Sequence, residues 1–116
     1  MNLVVKARHM DVTPAIKDYV EAKAAKLPRF YDNIQSVEVT LAPEADFLAS
    51  EIIVTATHKN TFVATHQDKD LYASFDQCFH KMTEQLRRHK DRVRDRQVSP
   101  MGQAPQASES VEQAEQ

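Results

Sequence analysis

Residues 70–96 read DLYASFDQCFHKMTEQLRRHKDRVRDR. Leu71, Phe75, Cys78, Phe79, Met82 and Leu86 recur at helical spacing in one stripe about 100° wide, the mark of a helix with one face in a core. Asp70 stands where a carboxylate can cap the start of that helix. The stripe stops at Leu86 and a run of charge begins. From Arg87 to Arg96, six basic residues (Arg87, Arg88, Lys90, Arg92, Arg94, Arg96) stand against Asp91 and Asp95, a local balance of 6 − 2 = +4. At ~1.5 Å per residue, this stretch makes a helix of about 40 Å, whereas strands of about eight residues span only ~26 Å. The last turns must therefore overhang any sheet on which the stripe packs.

With Phe75 at zero on the helical wheel, Lys81, Arg88 and Arg92 lie on one flank and Arg87, Lys90 and Arg94 on the other. Two basic flanks suit a rod held between phosphate backbones. A plainer reading is a solvated helix end, its cations favoured by the negative C-terminal dipole and paired locally, as Glu84 could pair with Arg88. The density of cations on turns with no sheet beneath them favours an anionic partner. Arginine's planar fork matches phosphate in two-point contact, which makes nucleic acid the expected polyanion. Five such contacts imply a salt slope of roughly −4 to −5, or a loss of affinity on the order of a thousandfold between 50 and 200 mM salt.

Upstream, LVVKAR reads as a short strand. Thr13 is a good N-cap with Pro14 at the first helical position, and Ile16, Tyr19, Val20 and Leu27 recur at helical spacing until Pro28 closes the run. Lys23 falls inside that apolar stripe. It is either a side chain snorkelling past the core edge or an ammonium held towards a phosphate. QSVEVTLA alternates Val37, Val39 and Leu41 with Ser36, Glu38 and Thr40, the period of a half-buried strand. A loop is expected around PEADFLAS. EIIVTATH and TFVATH then flank Lys59-Asn60, a hairpin signal without the usual glycine. The order is β-α-β-β-β-α.

The 116 residues, 41% hydrophobic and 28% charged, suit one compact soluble domain. Residues 97–116 contain no Lys or Arg and are rich in Gln, Ser, Ala, Pro and Glu, which predicts a disordered acidic tail behind a domain of residues 1–96. No secretory signal or membrane span is read, and Cys78 is the only cysteine, which suits a reducing, cytoplasmic setting. Cys78 lies on the apolar stripe as a structural thiol. The histidines have no metal-ligand spacing, and with Gly102 the only glycine no glycine-rich phosphate loop can form in residues 1–96. Asp70 and Asp76 read as a cap and a solvated helix residue rather than paired catalytic carboxylates. No enzyme, cofactor, metal or small-molecule substrate is expected.

Two segments carry a family resemblance. DVTPAIKDYVEAKAAKLPRFYDNI and DKDLYASFDQCFHKMTEQLRRHKDR resemble the helical regions of the ribosome hibernation-promoting factor and protein Y family, formerly called sigma-54 modulation proteins. The D-L-Y-A-S-F-D core, followed by K-M-x-x-Q-L and a basic end, carries most of the likeness, which spans essentially residues 1–96. The resemblance implies an α+β domain with both helices on one face of a four-stranded sheet, related to double-stranded RNA-binding domains. It also implies binding in the decoding channel of the small ribosomal subunit, contact with ribosomal RNA, obstruction of messenger and transfer RNA, and repression of translation under stress or in stationary phase. By position, Lys23, Lys26, Arg29, Lys81, Arg87, Arg88, Lys90 and Arg92 correspond to cations expected near RNA, with Arg94 and Arg96 as extensions of the series. The chain is expected to be monomeric when free.

Three departures stand out. Ala24 replaces a larger apolar residue, and the hairpin lacks its glycine. The acidic extension leans towards protein Y-like members, implied to oppose ribosome pairing, rather than the short members that promote it; the second domain of the long members is not expected. A domain binding RNA away from ribosomes, or a module for an acidic protein, would use the same cations.

Overall fold

The structure, a computed structural model, describes residues 1–57 and 60–98, with side chains as far as Lys90. Four strands, β1 (Asn2–Ala7), β2 (Ile34–Glu44), β3 (Phe47–Ala56) and β4 (Thr61–Asp68), form one sheet in the order β1-β2-β3-β4. β1 pairs parallel to β2, and the other two pairings are antiparallel. α1 (Pro14–Ala24) makes the crossover that a parallel pair requires, and α2 (Leu71–Val98) follows β4. The expected α+β order β-α-β-β-β-α and the four-stranded sheet are both present.

Alternation sets the core. Leu3 and Val5, then Val37, Val39 and Leu41, then Ile52, Val54 and Ala56, then Phe62 and Ala64 face one side of the sheet. α1 covers this side with Ile16, Val20 and Ala24, and α2 with Phe75, Cys78, Met82 and Leu86. The opposite side keeps the polar half of each strand, including the Lys6–Glu38 ion pair, together with exposed Val4 and Val63. Both helices therefore lie on the same apolar face.

Three local expectations change. α1 ends at Ala24, not at Pro28; Leu27–Arg29 form a separate 3-10 turn, here η1. Pro28 has no N–H to offer the Ala24 carbonyl and its ring would clash with it, so the α-helix must stop one turn earlier. The anticipated loop at 43–50 is a two-residue connection, Ala45-Asp46, because β2 continues through Glu44 and β3 begins at Phe47. Ala45 takes φ 56°, a left-handed conformation that costs about 1–2 kcal/mol for a residue with a Cβ. Pro43 is tolerated because β1 has already ended beside it, at Ala7↔Leu41. α2 continues to Val98, two residues past the boundary read from composition. Lys59 of the expected hairpin and residues 99–116 of the expected tail lie outside the described residues.

Hydrogen bonds fix α2 on the edge strand. Ser74 Oγ donates to the His66 carbonyl at 3.1 Å, so the Ser50–Ser74 contact at 2.9 Å has Ser50 as its donor. Both serines are buried. Further along, Cys78 Sγ donates to the Ala64 carbonyl at 3.2 Å, Lys81 Nζ to Thr65 at 2.9 Å and Gln85 Nε2 to Val63 at 2.7 Å. Burial pushes the Cys78 thiol up to about 12, so it stays protonated and inert at neutral pH. The helix thus runs antiparallel to β4, and its side chains occupy carbonyls along the strand.

The two helices are clamped together. Asp76 Oδ1 accepts from Tyr19 Oη at 2.6 Å and from Lys23 Nζ at 2.9 Å. Tyr19 also packs edge-on against Tyr72 at 4.9 Å and Phe75 at 6.3 Å between centroids. The expectation of a solvated Asp76 is therefore corrected: α1 crosses α2 at this level and supplies both donors. Partial burial raises the Asp76 carboxyl, but the Tyr19 and Lys23 hydrogen bonds and the Lys23 charge outweigh it and hold it below the ordinary value. Its bond to Asp76 raises Lys23, and the separate bond from Tyr19 Oη to Asp76, helped by burial, raises Tyr19.

Two predictions follow from this packing. Ser74→Ala leaves the buried Ser50 hydroxyl without its acceptor and should lower the unfolding free energy in urea by about 1–3 kcal/mol. The Ser50→Ala/Ser74→Ala pair should be no less stable than Ser74→Ala alone, because no orphaned hydroxyl remains. For the clamp, a carboxyl with a depressed folded pKa stabilises above its unfolded value near 4 and ceases to do so as pH falls through the folded value; raised Lys23 and Tyr19 contribute fully below about pH 10 and lose this as pH rises through their folded values. Asp76→Asn, replacing a partner about one-third exposed, should lower stability by roughly 1 kcal/mol at neutral pH. Thermal melts should show this gap constant from about pH 5 to about pH 9 and closing below about pH 4.

Candidate nucleic-acid interface

Position along α2 decides what each cation can reach. Ser74 lies over His66, Cys78 over Ala64 and Gln85 over Val63, and His89 meets Phe62 at 5.2 Å and Tyr31 at 5.4 Å between ring centroids. Phe62 is one residue from the start of β4, so the sheet ends beneath His89. The helix backbone continues from there to Val98, about 13 Å at ~1.5 Å per residue. The overhang is present, and its backbone carries Arg92, Arg94 and Arg96, whose side chains lie outside the described residues.

The two basic flanks differ in what they face. Lys81 lies over the β4 edge and is tied to the Thr65 carbonyl, on the side away from α1. Arg88, on the same flank by the wheel, is half-buried. Arg87 turns the other way, towards η1, and its guanidinium carbon stands 5.8 Å from the Phe30 ring centroid. Glu84 holds it there at 2.9 Å, so the pairing expected between Glu84 and Arg88 is made with Arg87 instead. The Phe30 ring draws Arg87 across, which places it one turn from Glu84 on the η1 side. Lys90 follows on this flank, half-buried.

The opposing wall comes from α1 and η1. Lys26 and Arg29 are exposed, and neither has an ion pair among the described residues. Lys23 is not directed at open solvent: besides the Asp76 bond, its Nζ lies 5.5 Å from the ring centroids of Tyr19 and Phe79. Neither earlier alternative for Lys23 included such a partner. The sequence signal was available in part, since a lysine within an apolar stripe needs either an exit to water or an anion. Phe30 carried no such signal; its place beside Arg87 of α2 depends on η1.

The result is a groove between η1 and α2 lined by Lys23, Phe30, Asp76, Phe79, Glu84 and Arg87, with exposed Lys26 and Arg29 on the η1 side of the domain. Of the cations proposed from sequence, Lys23 and Arg87 are internally neutralised, and Lys81 is drawn to the sheet edge. Among the described residues, no cluster of three or more His, Cys, Asp and Glu side chains could hold a metal ion, and no helix is long and apolar enough to cross a membrane.

Comparison with known proteins agrees with this architecture. The chain is 35% identical over 106 residues to the ribosome hibernation promoting factor of Azotobacter vinelandii, covering 90% of this chain and 94% of that protein. It is 32% identical to the protein of the same name from Klebsiella oxytoca, over 81% of this chain and 98% of the relative. The crystal structure of the N-terminal domain of Thermus thermophilus protein Y superposes with a TM-score of 0.68 at 31% identity, covering 77% of this chain and 99% of that domain. The family model described as Sigma 54 modulation protein / S30EA ribosomal protein matches residues 3–94, from the second residue of β1 to within four residues of the end of α2, and the chain belongs to that family.

Proposed function

We propose that this protein is a ribosome hibernation factor that binds the small ribosomal subunit in its decoding channel. There it contacts ribosomal RNA, obstructs messenger and transfer RNA, and represses translation under stress or in stationary phase. The observation that carries this reading is the α2 overhang. A helix with a basic end, extending about 13 Å beyond its sheet, can reach phosphates that the sheet itself cannot approach, and exposed Lys26 and Arg29 at η1 add cations to the same domain. Family membership and the names of the relatives support the ribosome as the partner.

The electrostatics suit a contact made only within a larger RNA surface. The chain as a whole carries −2, so long-range attraction is weak and binding depends on local cations. Lys26, Arg29, Lys90 and Arg92 are the principal phosphate partners, with Arg94 extending the series. Lys23, Lys81, Arg87 and Arg88 make contacts within the protein and contribute as these are displaced or shared. The protein is read as monomeric when free and cytoplasmic, with no catalytic role.

Cosedimentation with purified small subunits tests this. Retention at 50 mM salt should fall by about three orders of magnitude at 200 mM. Charge reversal at Arg88 and Arg92, or at Lys26 and Arg29, should reduce retention at least tenfold and flatten the salt slope by about 1–2 without unfolding the domain. A wild-type chain that fails to sediment with small subunits at 50 mM salt would end the proposal; retention abolished by free RNA competitor but indifferent to ribosomes would point to RNA binding elsewhere. A chain ending at Arg96 should bind at least as tightly, because it loses Glu109, Glu112 and Glu115 but no cation.

A further inference from the structure

Between η1 and α2 lies a cavity of about 530 Å³, within the ~300–1,000 Å³ typical of small-ligand sites. Its walls present two aromatic rings, Phe30 from the η1 side and Phe79 from α2, and each ring faces a cation. Each cation has a carboxylate of its own. Asp76 holds Lys23, and Glu84 holds Arg87.

The two pairs are unequal. Asp76 takes a second bond from Tyr19 and ties one helix to the other, so Lys23 is part of the framework. Glu84 and Arg87 are neighbours on the same helix, with about a third and a half of their side chains exposed, and such pairs are held weakly. Arg87 is therefore a cover that can leave Phe30 if a better anion is offered. An arginine and an aromatic face within one groove suit a planar base with an attached phosphate, the chemistry by which single-stranded RNA is recognised. An acidic peptide would engage the cations but leave both ring faces unused.

We propose that this groove binds one unstacked nucleotide of single-stranded RNA, its base on Phe30 and its phosphate on Arg87, with Glu84 as the internal competitor for the guanidinium. This rests on the ribosomal RNA reading above and narrows it to a chemical class, a nucleotide out of its helix rather than a duplex backbone. Glu84 keeps Arg87 from binding anions indiscriminately. Only a ligand that supplies a base as well as a phosphate replaces both contacts of the cover.

The test uses the full chain and an eight-nucleotide single-stranded RNA containing one 2-aminopurine, alongside the same strand annealed to its complement, at 50 mM salt. The fluorophore should be quenched by stacking in the single strand and not in the duplex. Phe30→Leu should remove the quenching and weaken binding roughly tenfold to a hundredfold. Glu84→Gln should strengthen binding several-fold and increase quenching, and the gain should vanish in Phe30→Leu/Glu84→Gln, since a mere change of net charge would be additive. Equal quenching in single strand and duplex, or strict additivity in the cycle, overturns the proposal. If Phe30→Leu loses its circular dichroism melt, Glu84→Gln decides alone, and no gain in affinity overturns it. Retention of the wild-type chain by small subunits with no fluorescence change in the oligomer refutes the groove and leaves the ribosomal reading standing; absence of both refutes the ribosomal reading.

Discussion

The seating of α2 on the inner face of the sheet is the constraint from which the other features descend. Phe75, Cys78, Met82 and Leu86, each fully buried, recur at intervals of three and four residues and lie on strands whose inward residues alternate with period two. That seating alone would allow the helix to slide. The buried hydroxyl chain from Ser50 through Ser74 to the His66 carbonyl, with the Cys78, Lys81 and Gln85 bonds to β4, fixes the axial position. A shift of one turn would strand a buried hydroxyl and several strand carbonyls. Because this position is fixed, so is the point at which the helix leaves the sheet.

Where the helix leaves the sheet determines which side chains can serve a partner. Up to Leu86 the inward face belongs to the core. At His89 the last support is a small aromatic group, Tyr31 and Phe62, formed where the β3–β4 hairpin meets the segment after η1. Beyond it, among the described residues, no strand lies beneath the helix backbone. The same logic explains the opposite wall. Pro28 ends α1 early, the chain tightens into η1, and Phe30 is placed beside Arg87 of α2 rather than continuing along the α1 axis.

Charge in this protein is organised at two scales. Within the domain, Asp76 and Glu84 neutralise Lys23 and Arg87, and the raised Lys23 and depressed Asp76 record how strongly the first pair favours its ionised form. At the two ends of η1, the exposed cations Lys26 and Arg29 have no such pairs among the described residues. Of the first set, the Lys23–Asp76 pair holds the helices together. The second gives a slightly acidic protein a localised basic surface.

The order of elements, the buried faces of β2 and α2, the Thr13 cap and the overhang were legible from residues alone. Each rests on local periodicity, on a capping side chain that accepts from Ile16 N at 3.2 Å, or on lengths that cannot match. Other features needed the folded chain. The partner of Lys23, the choice of Arg87 over Arg88 by Glu84, the tether on Lys81 and the groove floored by Phe30 and Phe79 each join segments distant in sequence or turn on which way a side chain leans. A helical wheel places a charge on a flank but does not say what stands opposite. The sequence by itself determined that a basic helix end projects from a β-α-β-β-β-α domain, because apolar period and helix rise are local quantities. Only the tertiary structure decided which of its cations are already occupied, because Lys23 meets Asp76 only where the two helices cross, and Arg87 leans to Glu84 on the side where η1 sets Phe30.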